Sequence, residues 1–354
     1  MTEHPDRGTV QAMTTSLVYG FAFSQISGTV SRLGVPGVFD TPVKSVDELA
    51  AATGTHAASL LRLLRAASAL GLLTERTDGA FELTKLGEIM RDDEALRALL
   101  ALYGDESVWR AFGALEQATR TGRSGFEHAH GTSLFDALES DEGMASRFHH
   151  AMNLVTAAQV PAIVRDYDFS PFRHVVDVGG GDGTLLASVL RCHESVRGTL
   201  VDRPAALRPA EAALRAAGVA DRCTVTEGDF LASLPAGGDA YLLKNILHNW
   251  EDPQCVQILS NCAQAAGPNG RILVPAVVLP EGAEHTDREE AALMALSDVE
   301  MMVLTSGRER TRSEYESLFA AAGLTPGAAV PLQGLPGHHM LEATPAAGPG
   351  PHGT

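Results

Sequence analysis

Four glycines, Gly179, Gly180, Gly181 and Gly183, crowd the five residues after Val178, and an acid, Asp177, stands just before them. Val175, Val176 and Val178 lead in, and an apolar segment from Leu185 to Leu190 leads out, so the pattern reads as a strand, a tight turn and a helix start. Glycine suits such a turn because the backbone must take φ > 0 and let a ligand approach where a Cβ would stand in the way. The helix beyond it offers free N–H groups. A dinucleotide loop of the form G-x-G-x-x-G would need Gly or Ala at position 184, where Thr184 stands, and what remains is Asp-x-Gly-x-Gly-x-Gly. Two further acids close short apolar runs: Asp202 after Gly198 to Val201, and Asp229, followed by Phe230, in the run from Val225. A fourth run, Ala240 to Leu243, enters a segment that carries Lys244, His248 and Trp250. In open α/β sheets ligands bind at the carboxyl ends of the strands, so all of these residues are expected along one ligand-binding edge.

The Asp177 to Gly183 pattern resembles the first motif of class I S-adenosylmethionine-dependent methyltransferases. The resemblance implies a loop that passes under the amino-acid and ribose part of S-adenosyl-L-methionine, with Asp177 facing the ammonium group. Asp202 is then placed to accept hydrogen bonds from both ribose hydroxyls, Asp229 to meet the exocyclic amine of the adenine, and Phe230 to cover its ring. Taken singly, Asp202 reads almost as well as a plain turn residue.

Lys244-Asn245-Ile246-Leu247-His248-Asn249-Trp250-Glu251-Asp252 is similar to the Leu-Lys-x-Ile-Leu-His-x-Trp-x-Asp motif of the caffeic-acid-type O-methyltransferases, including their bacterial antibiotic-tailoring relatives, and the likeness runs from Thr9 to Ala343. It implies that His248 is the general base, that Lys244 and Trp250 lie beside the cofactor, and that Glu309, in Gly307-Arg308-Glu309-Arg310-Thr311, orients His248. Met152, Asn153, Asp298, Met301 and Met302 stand where family members line the acceptor pocket, although each Met fits a helix core as well. A His suits the chemistry: methyl transfer needs an oxygen nucleophile in line with an activated methyl, and a phenol of pKa about 10 must lose its proton to a base near neutrality. Two residues depart from the family pattern. Asn249 replaces the usual Asp after the His, and Ala276 stands where a second acid is usual. A non-methylating relative that uses the same scaffold and cofactor for another conversion is therefore the alternative reading.

These residues need a frame. The 354 residues allow about two domains, with 45% hydrophobic residues for their cores. Expected are an α/β, Rossmann-like methyltransferase domain over 105–343 and, over 1–104, a mostly α-helical winged-helix dimerisation domain; residues 344–354, rich in Pro and Gly, are expected to be a disordered tail. The winged helix is read from Val46 to Leu73 with a hairpin at Asp78-Gly79, and longer helices from Leu86 to Leu102, Val108 to Thr119 and Gly143 to Asp166 follow. Thr9 to Ser31 lacks any charge, yet Ser and Thr interrupt it and no basic segment precedes it; a buried helix covered by a second subunit, hence a homodimer, is expected rather than a membrane span or a signal peptide. The net charge of −17, from 27 Lys and Arg against 44 Asp and Glu, argues against nucleic acid as a partner and against a transcription regulator built on the winged helix. Four cysteines without paired spacing fit a cytoplasmic protein, and His149 and His150, adjacent on one helix, cannot easily share an ion, so no metal is expected.

Overall fold

The computed structural model describes residues 7–282 and 288–346. The chain divides into two compact units between Trp109 and Arg110, a few residues beyond the expected boundary.

The first unit opens with a 26-residue helix, α1 (Arg7–Arg32). Three short strands, β1 (Val43–Lys44), β2 (Leu73–Glu75) and β3 (Phe81–Leu83), pair antiparallel in the order β1-β3-β2 beside α2 (Val46–Thr53) and α3 (Ala57–Ala69), the winged-helix pattern. Local signals place these pieces: Ser45 and Glu48 form a reciprocal capping box at the start of α2, and Gly54 ends it in the left-handed conformation. Leu49, Leu60, Leu64, Leu72 and Phe81 make the core. Arg65, on the would-be recognition helix α3, is engaged with Glu75 of the wing through both Nε and Nη2. The single helix expected from Leu86 to Leu102 is two, α4 (Lys85–Asp92) and α5 (Glu94–Tyr103). Asp93 breaks it, taking extended backbone and capping the N–H of Leu96 with its side chain.

Of the remaining helices, α6 (Glu106–Gly113) crosses the division, and α7 (Leu115–Thr121), α8 (Gly125–His130), α9 (Leu134–Ser140) and the long α10 (Glu142–Asp166) follow. The Gly- and His-rich stretch from Ser124 to Phe135 thus contains helix, with Ser124 and Ser133 as N-caps. Then β4 (His174–Val178), α11 (Thr184–Cys192), β5 (Arg197–Asp202), α12 (Pro204–Leu207), α13 (Ala210–Ala216), β6 (Cys223–Glu227), β7 (Ala240–Leu242), α14 (Asp252–Ala266) and β8 (Arg271–Leu279) alternate. The chain closes with α15 (Arg288–Leu304), β9 (Arg310–Thr311), α16 (Arg312–Ala321), β10 (Leu324–Pro331) and β11 (His338–Pro345). The sheet runs β10-β11-β8-β7-β4-β5-β6, with β9 beside β8. β8, β7, β4, β5 and β6 run parallel to one another, whereas β11 is antiparallel to β8 and β10 to β11. From β4 the order goes outward to β5 and β6, then restarts on the other side with β7, which makes the carboxyl end of β4 the topological switch point. One apolar cluster packs α10, α11 and α13 on one face, and another packs α14 and α16 on the other.

Two expectations are corrected here. The third strand ends at Glu227, so Asp229 and Phe230 lie in the loop beyond it. Thr344 and Pro345 belong to β11, where they pair with Thr325 and Leu324, because the strand continues as long as β10 offers a partner; the remainder of the expected tail, from 347, lies outside the described residues. Among the described residues no helix is long and apolar enough to cross a membrane.

Candidate active site

The switch point is built as the glycines dictate. Gly179, Gly181 and Gly183 take φ of 70°, 61° and 79°, and Gly183 caps α11. Gly180 is required by close approach instead: a Cβ there would lie 2.5 Å from the Asp177 carboxyl carbon. Asp177 is therefore folded beneath the loop, 1% exposed, and its Oδ2 is buried with no hydrogen-bond partner among the described residues. Burial, reinforced by the charge of Asp202, pushes Asp177 up to about 7 although Lys244 pulls the other way. Asp202, at the end of β5, accepts the Gly181 N–H at 2.8 Å and the Arg203 N–H at 2.7 Å. Burial raises its pKa, and those two donors hold it down. Lys244 donates from Nζ to Thr156 Oγ1 at 2.9 Å, and burial brings its ammonium down to about 8, with Asp177 opposing. A cationic ligand with a hydroxylated ring fits this set, because Asp177 keeps an unused buried oxygen and each Asp202 oxygen retains a second lone pair.

The other expected contacts are less uniform. Phe230 is buried against Trp250, edge to face at 5.9 Å between centroids, and its ring edge would stand 3.5 Å from a Cβ on Gly179. Trp250 stacks in turn on Phe135 at 5.8 Å. Asp229 is exposed, and its Oδ1 accepts the Leu231 N–H at 2.9 Å, shaping its own turn.

At the other end of the site, Asn245 sits at φ 55°, one of the few conformations in which Asn outdoes most residues, and the chain turns through Leu247–Asn249. Asn249, in place of the family's Asp, donates to the Asn245 carbonyl at 2.9 Å and closes the turn. His248 Nδ1 meets Glu309 Oε1 at 3.0 Å. A carboxylate only accepts, so Nδ1 carries the proton and Nε2 keeps its lone pair. Glu309 is 2% exposed; burial opposes its charge, yet the attraction of His248 and the hydrogen bonds from His248 and from Ser297 Oγ, the latter at 2.7 Å, hold it below the ordinary carboxylate range. An oriented imidazole over a buried anion is an arrangement suited to taking a proton from an acidic hydroxyl.

Several residues in this frame carry no signal that composition or spacing alone would single out. Arg310 is fully buried and donates to Asp252 Oδ1 and to the carbonyls of Leu247 at 3.0 Å and Trp250 at 2.9 Å, lacing both sides of the His248 turn to the start of β9, next to Glu309. Arg308 reaches the other oxygen of Asp252 at 2.9 Å. A Cβ on Gly307 would fall 1.9 Å from the His248 carbonyl oxygen, so the two motifs interlock backbone to backbone. Of the expected acceptor contacts, Asp298 accepts the Glu309 N–H at 2.9 Å and so braces the orienting acid. Asn153 stands beside the glycine loop, its Oδ1 3.4 Å from where a Gly181 Cβ would be; Met152 and Met302 are half-buried and Met301 buried. Among the described residues no cluster of three or more His, Cys, Asp and Glu side chains is arranged to hold a metal.

The family model described as the O-methyltransferase domain matches residues 112–325, and that of the O-methyltransferase dimerisation domain matches 15–92. The chain belongs to the O-methyltransferase family. This O-methyltransferase is 35% identical over 349 residues to the phenazine O-methyltransferase PhzM of Lysobacter antibioticus, across 98% of this chain and 100% of that one. Its fold is similar to that of the mitomycin 7-O-methyltransferase MmcR, with a TM-score of 0.90, 30% identity and coverage of 96% and 99% of the two chains. It is also similar, at a TM-score of 0.81, 33% identity and coverage of 92% and 96%, to the O-methyltransferase NcsB1 from neocarzinostatin biosynthesis, solved with S-adenosylmethionine and 2-hydroxy-5-methyl naphthoic acid. A relative of another kind, the aclacinomycin 10-hydroxylase RdmB of Streptomyces purpurascens, is 36% identical over 281 residues, 78% of this chain and 74% of that one.

Proposed function

We propose that this O-methyltransferase moves the methyl group of S-adenosyl-L-methionine to a phenolic hydroxyl of a small aromatic secondary metabolite, releasing S-adenosyl-L-homocysteine, with His248 as the general base. The observation that carries the reading is the 3.0 Å contact of His248 Nδ1 with Glu309, which leaves Nε2 free to accept the phenol proton. Asp177, Gly179, Gly181, Asp202 and Lys244 would hold the amino-acid and ribose portions of the cofactor, with Phe230 and Trp250 walling the adenine and Asp229 at its rim. When bound, the cofactor supplies an activated sulfonium methyl. Glu309 stabilises the imidazolium formed as the proton moves, and Ser297 and Asp298 keep Glu309 in place. Met152, Asn153, Met301 and Met302 are assigned to the acceptor pocket, where polarisable Met side chains suit flat rings. The enzyme acts as a homodimer through its first unit.

A specific observation favours a second reading. The family's second acid is replaced by Ala276, buried at 4% exposure on β8, and the hydroxylase among the relatives supports a scaffold able to host another conversion. One experiment separates the two: labelled methyl transfer to a pool of phenols, naphthoates and anthraquinones, with cofactor binding followed by calorimetry in the same sample. Label in an aromatic product, and a fall in turnover of about 10²- to 10⁴-fold in His248→Ala with cofactor affinity unchanged, is expected. Tight cofactor binding without label in any acceptor argues for the non-methylating conversion. Unchanged turnover in His248→Ala removes that residue as the base.

A further inference from the structure

One face of α10 carries a row of polar side chains, His149, Asn153, Thr156 and Gln159, at three- and four-residue spacing. Their partners succeed one another along the carboxyl edge of the sheet. His149 feels the charge of Asp202 at the end of β5, Asn153 stands by Gly181 after β4, Thr156 takes the hydrogen bond of Lys244 after β7, and the Gln159 amide nitrogen lies 3.3 Å from Nε2 of His338 at the start of β11. β5, β4, β7, β8 and β11 are successive neighbours. Four inter-strand steps of about 4.8 Å cover roughly 19 Å, and ten helical residues rise about 15 Å, so the helix follows the edge from the cofactor end to the acceptor end. At that far end β8 presents Val277 to the α10 face, and the polar group is His338 of the adjoining strand, opposite Val277 in the register; Ala276 packs with Val274 on the other face of the sheet.

The hydrogen bonds of His338 fix what Gln159 can offer. His338 Nδ1 lies 2.8 Å from the Pro336 carbonyl, which only accepts, so Nδ1 carries the proton. Burial disfavours a charge on His338 and, with Lys244 and His248 pushing the same way, outweighs the Pro336 carbonyl and Glu309, which favour it. Nε2 of the neutral ring is therefore an acceptor, and the Gln159 amide must present its N–H to it. That orientation leaves Gln159 Oε1 buried and without a hydrogen-bond partner among the described residues. An orphaned buried carbonyl oxygen costs enough that a ligand supplying an N–H or O–H is favoured over one that does not.

Resting on the methyl-transfer reading for the identity of the pocket, we propose that Gln159, held in register by His338, is a specificity-determining residue that recognises a second hydrogen-bond donor, a hydroxyl or amino group, on the aromatic acceptor.

The test uses the full-length enzyme loaded with S-adenosyl-L-homocysteine and calorimetric titration of 2-naphthol against a panel of dihydroxynaphthalenes and aminonaphthols. At least one doubly substituted probe is expected to bind roughly tenfold to a hundredfold tighter than 2-naphthol, the loss typical of one buried unpaired group. Gln159→Met is expected to erase that preference by weakening the tighter probe while 2-naphthol is unaffected. His338→Phe, which leaves Gln159 in place but unheld, is expected to reduce the preference without abolishing it. Equal binding of all probes, absence of binding, a preference that survives Gln159→Met, or an equal weakening of both probe classes would overturn the proposal. Turnover with S-adenosyl-L-methionine on the same panel reports separately on methyl transfer: a probe preference intact without turnover sinks that reading and leaves the role of Gln159 standing.

Discussion

Asp177 shows how a residue that is plain in the sequence acquires its physical character only from packing. Its position before the glycines is visible in the chain, but the carboxyl under Gly180, next to Asp202 and Lys244, is a long-range product. Burial raises its pKa from 3.8 in an unfolded chain to about 7 in the fold. The folded protein therefore binds a proton that the unfolded chain does not between those values. That stabilising contribution is fully present below about pH 4 and is lost as the pH rises through about 7. A cationic ligand reverses the preference by favouring the carboxylate. Cofactor affinity is expected to climb with pH up to about 7, by as much as tenfold per unit on the acid side, and then to level off. Asp177→Asn, neutral at every pH, is expected to bind the cofactor more weakly and with a flat profile, while melting at the same temperature as the parent near pH 4 and higher than it at pH 8. Melting curves and calorimetric titrations across that range check this; parallel profiles for the two proteins would contradict it.

At the scale of elements, the site is two short motifs clamped together, and the clamp is what the sequence conceals. His248 and Glu309 are legible because each sits in a recognisable local pattern, as are the strand, turn and helix around Asp177. Gly307 and Arg310 flank Glu309 in its motif, but that they act on the His248 turn about sixty residues away, and that Ser297 and Asp298 brace Glu309 from the preceding helix, is not told by their spacing. The same limit explains the helix expected from Leu86 to Leu102: its apolar spacing continues across Asp93, yet the side chain of Asp93 competes for the backbone and starts a new helix. Gly307→Ala tests the clamp. The added Cβ would fall 1.9 Å from the His248 carbonyl, and both parties are backbone, so the turn and the segment that carries Glu309 must separate. A loss of about 1–3 kcal/mol of stability is expected, the usual cost of overpacking. Turnover is expected to fall further than stability implies, because His248 and Glu309 part, whereas cofactor affinity changes little. Denaturant unfolding and single-turnover rates measured together decide it, and a stable variant of full activity would show that the interlock is dispensable.

For the whole molecule, the question is what covers α1. Its carboxyl-terminal part is packed, with Val30 at 1% exposure and Gly28 so close to α5 that a Cβ would meet the Leu100 carbonyl at 2.8 Å. Its amino-terminal part instead exposes Val10, Met13, Leu17, Val18 and Phe21 along one side of the helix and Tyr19 on the other, with Leu17 at 85% exposure. A run of this size is unusual on an isolated chain and marks a surface that another protein covers. The match of 15–92 to a dimerisation domain names the kind of surface, and a second copy of α1 is the occupant that the dimer reading supplies. Introducing a charge at its centre places an uncompensated carboxylate in the buried patch, a cost that neither copy can relieve by local repacking. Leu17→Glu is therefore expected to shift the sedimenting species from twice the 37.3 kDa chain mass to once that mass at micromolar concentration. Its melting temperature is expected to lose the concentration dependence that a dimer confers on the parent. A parent protein that already sediments as a monomer, or a variant that remains a dimer, would leave the exposed face of α1 to some other partner.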